Sequence, residues 1–138
     1  MSDEPLPPPG ATLGIAEVAE LTGLSKDTLR WYERRGLIRA VDRTTGGRRR
    51  YDAEQVRLVL LLVRLRRTGM SVADMETFMD LLAQGTATHG RRRALLDRHR
   101  TEVLARMEQV RADLEAIDAK IAHYDRLIAA GLDCGGTP

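Results

Sequence analysis

The amino-acid sequence predicts a mainly α fold: a helical block interrupted by one small β-hairpin, then a single long helix toward the C-terminal end. Three observations carry this expectation. Residues 15–35 read IAEVAELTGLSKDTLRWYERR, two short amphipathic stretches around a break at Thr22-Gly23-Leu24. They are followed at once by GLIRAVDRTTGGRRRYDAEQV, in which glycines and arginines separate two short extended runs. From about Arg91 to Ala130 neither proline nor glycine occurs, and strong helix formers run uninterrupted.

Each element has a local cause. Ile15, Ala16, Val18, Ala19 and Leu21 give the first helix one apolar face. Gly23 is free to take positive φ at the break. Ser25 is a natural N-cap for the second helix, whose hydroxyl accepts from an orphan backbone N–H. That helix runs to about Arg35, and Gly36 supplies a left-handed stop. Leu37-Ile38 and Tyr51 flank the turn-rich loop Arg43-Thr44-Thr45-Gly46-Gly47-Arg48-Arg49-Arg50. Asp52, with Gln55 at the capping-box position, opens a third helix carrying Val56, Val59, Leu60, Val63 and Leu65, which ends at Gly69. Ser71, with Asp74 three residues on, opens a fourth carrying Val72, Met75, Phe78, Met79 and Leu82. Two helices around a tight turn, followed by a basic-tipped hairpin, make a winged helix-turn-helix.

The last segment carries its own signal. Val103, Met107, Val110, Leu114, Ile117, Ile121, Tyr124 and Ile128 are spaced alternately four and three apart. This is the 3.5-residue period of a coiled-coil seam, and a second copy of the chain is its expected cover. The alternative is a long helix lying on its own domain's core, which normally shows a wider apolar stripe. The organisation predicted is therefore an arm at 1–11, acidic, proline-rich and disordered. The winged domain with a second helix pair follows at 12–83, and a polar linker (QGTATHG) at 84–90. A dimerisation helix at 91–130, paired as an antiparallel coiled coil, and a flexible tail at 131–138 complete it.

Composition narrows the function. Of the 138 residues 30% are charged and only 4% aromatic, which suits thin helical layers more than an enzyme with a deep apolar pocket. The net charge of +2 hides an uneven distribution. Residues 24–67 hold thirteen Lys/Arg against five Asp/Glu, whereas residues 71–138 hold nine against eleven. The basic half points to a polyanion. A single cysteine, Cys134, allows no intramolecular disulfide, and no apolar run approaches the ~20 residues of a membrane span. With an N-terminus unlike a secretory signal, a cytoplasmic protein associated with the nucleoid is expected.

In a helix-turn-helix the second helix enters the major groove of DNA. Lys26 and Arg30, four apart, share a face suited to phosphates or guanine edges. Trp31 and Tyr32 either touch the sugar-phosphate backbone or fill the small core beneath the hairpin. Arg43, Arg48, Arg49 and Arg50 form a cationic wing tip able to straddle the minor groove. Arg64, Arg66 and Arg67 extend the basic stripe. No Ser-His-Asp arrangement, phosphate-cradling glycine loop or paired carboxylates in a cleft is legible, so an enzyme is not expected, nor a cofactor.

The segments IAEVAELTGLSKDTLRWYERRGLI, GGRRRY and LRRTGMS together resemble the MerR family of transcriptional regulators, over about Leu13 to Ile128. The resemblance implies a homodimer on a near-palindromic operator in the spacer between two promoter elements. The activated dimer would bend and undertwist that spacer for RNA polymerase holoenzyme. Carried over residue by residue, Lys26, Arg30, Trp31 and Tyr32 match recognition-helix contacts. Arg43 and Arg48, Arg49 and Arg50 match the wing, Tyr51 its closing aromatic, and Arg66 a backbone contact from the second wing. Family metal sensors use cysteines at the start of the dimer helix and in the loop after it. Here only Cys134 stands near the second place, and His89, His99 and His123 are scattered, so no metal site is expected. The electrophile-responsive branch carries its cysteine where this chain has Arg64. A small-molecule effector would then sit between Met75, Phe78 and Met79 and the partner's long helix, where Met side chains can repack. Two other readings stay open: an effector-independent architectural or excisionase-like DNA binder, and a coiled-coil scaffold with a basic docking domain.

Overall fold

The computed structural model describes residues 6–8, 10–38, 42–43 and 49–132, the side chains of Asp42, Arg43 and Arg49 apart. The chain divides into two compact units, Met1–Leu95 and Leu96–Pro138. In order it forms β1 (Leu13–Gly14), α1 (Ile15–Thr22), α2 (Lys26–Arg34), β2 (Asp42–Arg43) and β3 (Arg49–Tyr51). Then come α3 (Ala53–Arg67), α4 (Val72–Ala83), a single 3-10 turn (Thr86–Thr88) and α5 (His89–Ala129). This is the mainly α, winged architecture with a long terminal helix that the sequence predicts. Among the described residues no helix is long and apolar enough to cross a membrane.

The helix-turn-helix is fixed by short-range bonds. Glu17 Oε1 accepts from the Gly14 N–H at 3.1 Å and satisfies an orphan donor at the start of α1. At its end the Thr22 hydroxyl donates to Val18 O at 2.8 Å and accepts from the Leu24 N–H at 3.2 Å, pinning the turn. Gly23 has φ 75°, a conformation that a side chain would strain. Ser25 Oγ caps α2 by accepting from the Thr28 N–H at 3.0 Å. Asp52 and Ser71 cap α3 and α4 in the same way, accepting from the Gln55 and Asp74 N–H groups at 2.8 and 3.0 Å.

The sheet has one strand more than the hairpin expected. Its order is β1-β3-β2, all antiparallel, with Leu13 opposite Tyr51 and Arg50 between Gly14 and Asp42. A two-residue strand containing glycine has no sequence signature of its own. The long-range Arg50 side chain helps hold it there, donating from Nε to Thr12 Oγ1 at 2.9 Å and from Nη2 to Thr12 O at 2.8 Å. Beneath the sheet, α1 packs on α2, α3 and β3, and α3 on β3 and α4. Val18, Leu29, Tyr51, Val56, Val59, Leu62 and Met75 lose all their exposure in that core.

The stretch expected as a polar linker at 84–90 is built differently. Gly85 turns the chain at φ 90°, and the Thr88 hydroxyl, buried, donates to Leu81 O at 2.6 Å. Arg92 Nε donates to the same hydroxyl at 3.1 Å, and its Nη2 to Gly85 O at 3.2 Å. A run of small polar residues reads as a linker by composition, but these satisfy one another and close a corner. In the second unit α5 continues without a break, and of the eight seam positions only Val103 is half-buried. The seven from Met107 to Ile128 are 51–65% exposed.

Candidate nucleic-acid interface

On α2, Leu29 and Tyr32 point into the core, which turns Lys26, Arg30 and Arg34 outward at four-residue spacing. Arg30 Nη1 meets Asp27 Oδ1 at 3.1 Å, with the carboxylate 93% exposed. An exposed pair of this kind is worth little and exchanges readily for phosphate. Arg34 extends the cationic row predicted from Lys26 and Arg30, and its four-residue offset was visible in the sequence.

Trp31 and Tyr32 play unequal parts. Trp31 is half-buried beneath the Arg35 guanidinium, 5.4 Å from the ring centroid. Arg35 Nη2 also reaches Glu76 Oε1 of α4 at 2.9 Å. That clamp joins residues 41 positions apart, and no sequence pattern announces it. Tyr32 is only 5% exposed, its ring 5.4 Å from that of Trp31. Burial lifts its phenol above the usual tyrosine pKa, partly offset by the nearby Arg66 charge, so the hydroxyl stays protonated and able to donate.

Tyr32 borders an open cleft of about 350 Å³, lined also by Thr22, Gly23, Leu24, Val63, Arg66 and Arg67. Here the backbone of the helix-turn-helix turn faces the basic end of α3. Arg66 Nη1 is oriented by Met70 O at 3.1 Å. Two guanidinium groups beside a tight turn suit a phosphate oxygen, which arginine can engage with paired N–H donors.

The wing requires two corrections. Tyr51, grouped by sequence with the DNA contacts, is fully buried, and its hydroxyl donates to Glu33 Oε2 at 3.1 Å. It faces inward because alternation along β3 sends Tyr51 to the core side. Arg50, its neighbour, is part-buried and committed to Thr12 rather than presented at the tip. Arg43 and Arg49 lie in paired strands; their side chains, like the whole of Arg48, fall outside the described residues. Tyr51→Phe is accordingly expected to lower stability by about 1 kcal/mol. DNA affinity measured well below the melting temperature should not change; a selective affinity loss would return Tyr51 to the interface.

Of the three residues expected around an effector, Met75 and Phe78 are sealed in the core. Met79 borders a cleft of about 220 Å³, with Gly36, Gln55, Leu58, Asp80, Leu82 and Ala83. Periodicity marks all three as one apolar face of α4 but does not tell a core position from a rim position. Among the described residues no three His, Cys, Asp or Glu side chains are grouped to hold a metal, and Cys134 lies outside those residues.

Residues 13–82 match the profile described as MerR HTH family regulatory protein, and residues 56–124 that described as MerR, DNA binding. An HTH-type transcriptional regulator of Haemophilus influenzae is 31% identical over 120 residues, which are 87% of this chain and 89% of that protein. The fold superposes with a TM-score of 0.81 on HiNmlR, a MerR family regulator lacking the sensor domain, solved bound to promoter DNA. The two are 29% identical over 93% of this chain and 98% of the other. A MerR family transcriptional regulator from Bacillus thuringiensis superposes with a TM-score of 0.75 at 26% identity, over 83% of this chain and all of its own. From the capped turn through the basic recognition face to the long helix, the chain belongs to the MerR family of DNA-binding transcriptional regulators.

Proposed function

We propose that the protein works as a homodimer on a near-palindromic operator placed in the spacer between two promoter elements. In response to a signal, the dimer bends and undertwists that spacer and hands the promoter to RNA polymerase holoenzyme. The observation that carries this reading is the seam on α5, seven large side chains at least half exposed on a helix attached to one DNA-reading head. One head spans one half-site, and a self-complementary helix face brings a second head to the other. An architectural protein acting alone would have no use for the seam, and a scaffold no use for a capped recognition helix with a cationic outer row.

The test is operator binding by Lys26→Ala and Arg30→Ala on the protein's own promoter fragment. Removing a side chain that neutralises a phosphate should lower the slope of log K against log salt by about one unit. Removing one that reads a base edge should instead cost about 1–3 kcal/mol on the operator and leave nonspecific binding unchanged. Unaltered affinity and slope in both variants would remove α2 from the interface.

A further inference from the structure

We infer that the antiparallel α5 pairing expected of the homodimer takes one register, with Leu114 level with the partner's Ile117, selected by an ion pair between Asp113 and the partner's Lys120. This rests on the homodimer reading and its antiparallel orientation, and goes beyond them to the residues that set the register.

With Met107, Leu114, Ile121 and Ile128 at heptad position a, and Val103, Val110, Ile117 and Tyr124 at d, the seam is self-complementary. An antiparallel two-fold sets each a residue level with a d residue. Only the register centred between Glu115 and Ala116 uses all eight positions. It sets Leu114 against the partner's Ile117, Val110 against the partner's Ile121, Met107 against the partner's Tyr124, and Val103 against the partner's Ile128. One flank of the seam carries Arg106, Asp113 and Lys120, and the other Arg111, Asp118 and Asp125.

In this register Asp113 comes beside the partner's Lys120, and Arg111 beside the partner's Asp118. The two-fold repeats each pair. Sliding by one heptad in one direction sets Asp113 beside the partner's Asp113 and Arg111 beside the partner's Arg111. Sliding the other way sets Lys120 beside the partner's Lys120 and Asp118 beside the partner's Asp118, and leaves only Arg111 beside the partner's Asp125 as an attraction. A parallel, in-register pair sets Asp113 beside the partner's Asp118 and Arg106 beside the partner's Arg111, against the single attraction of Lys120 beside the partner's Asp125. Of these four arrangements only the first pairs opposite charges without opposing like ones, which is how flanking charges choose partner and orientation in coiled coils.

The single chain leaves these charges ready for use. Among the described residues Asp113 is bonded only by the Gln109 side-chain amide, at 3.1 Å, and the Lys120 ammonium lies 5.9 Å from the centre of the Tyr124 ring. Neither has an ionic partner on its own helix. Arg111 differs, being shared between Glu108 and Glu115, each at 2.5 Å. The Asp113–Lys120 pair is thus the one whose charges an approaching copy neutralises outright.

The experiment uses the full chain with Asp113→Lys or Lys120→Glu, followed by sedimentation and by subunit exchange between differently tagged copies. Each variant alone should self-associate about tenfold more weakly, the order expected when two exposed ion pairs become repulsions. Mixed in equal amounts, the two face each other with opposite charges at both sites and should form a heterodimer of wild-type affinity. A statistical mixture would overturn the register. Tighter self-association of Asp113→Lys would indicate the parallel arrangement and overturn it as well. Leu114→Lys with Ile117→Lys separates this inference from its foundation. If that variant dissociates while the charge variants behave as wild type, only the register fails; if it stays dimeric, the α5 dimer itself fails.

Discussion

Leu114→Lys combined with Ile117→Lys is expected to give monomers in sedimentation and to abolish tight operator binding, with helix content by circular dichroism nearly unchanged. Both side chains are more than half exposed on the single chain, so lysine there costs the monomer almost nothing. In a paired seam the two substitutions put four charges into a dry layer, each costing several kcal/mol unless it is paired. Without the second head the advantage of tethering disappears, so operator affinity should fall by about 10²–10⁴. An unchanged dimer would place the interface elsewhere.

Leu29→Ala is expected to be the most damaging single change in the reading head. Leu29 is wholly buried where α2 meets the core, directly before Arg30. Truncation of a buried leucine costs about 2–5 kcal/mol, a large share of the roughly 5–15 kcal/mol that holds a domain folded. The urea midpoint should drop accordingly, and DNA binding should disappear at temperatures the parent tolerates. A midpoint shift below about 1 kcal/mol would mean that α2 is not anchored through this side chain.

What the sequence made legible was local or periodic. Ser25, Asp52 and Ser71 each announce a helix start because the bond they make reaches only three residues ahead. Gly23 and Gly36 mark the helix ends through their own backbone freedom. The seam was readable because a 3.5-residue repeat needs no tertiary information. Strand β1 was not, since its pairing with β3 joins residues 38 positions apart and has no composition signal. The same distance hid the fate of Arg50. Its residue type fits a cationic wing, but whether a guanidinium faces DNA or Thr12 depends on which strand lies beside it. Tyr51 repeats the lesson, as an aromatic residue after a basic run can close a core or touch a phosphate. The Arg35 clamp on Trp31 and Glu76 was invisible for the same reason.

The unbroken course of α5 makes the register of two paired copies a matter of length. A 41-residue helix is a rod about 60 Å long, and with neither proline nor glycine between residues 91 and 130 it has no built-in hinge. In an antiparallel dimer, any axial offset between two such rods passes undiminished to their far ends. Slippage by one heptad would displace the ends by about 10 Å, the rise of about three base pairs. Three base pairs also turn the duplex through nearly a third of its helical repeat. In the proposed register the charges flanking the seam would serve as a measuring device, fixing the overlap of the two rods at Asp113 and Lys120, far along the chain from the α2 residues proposed to read DNA.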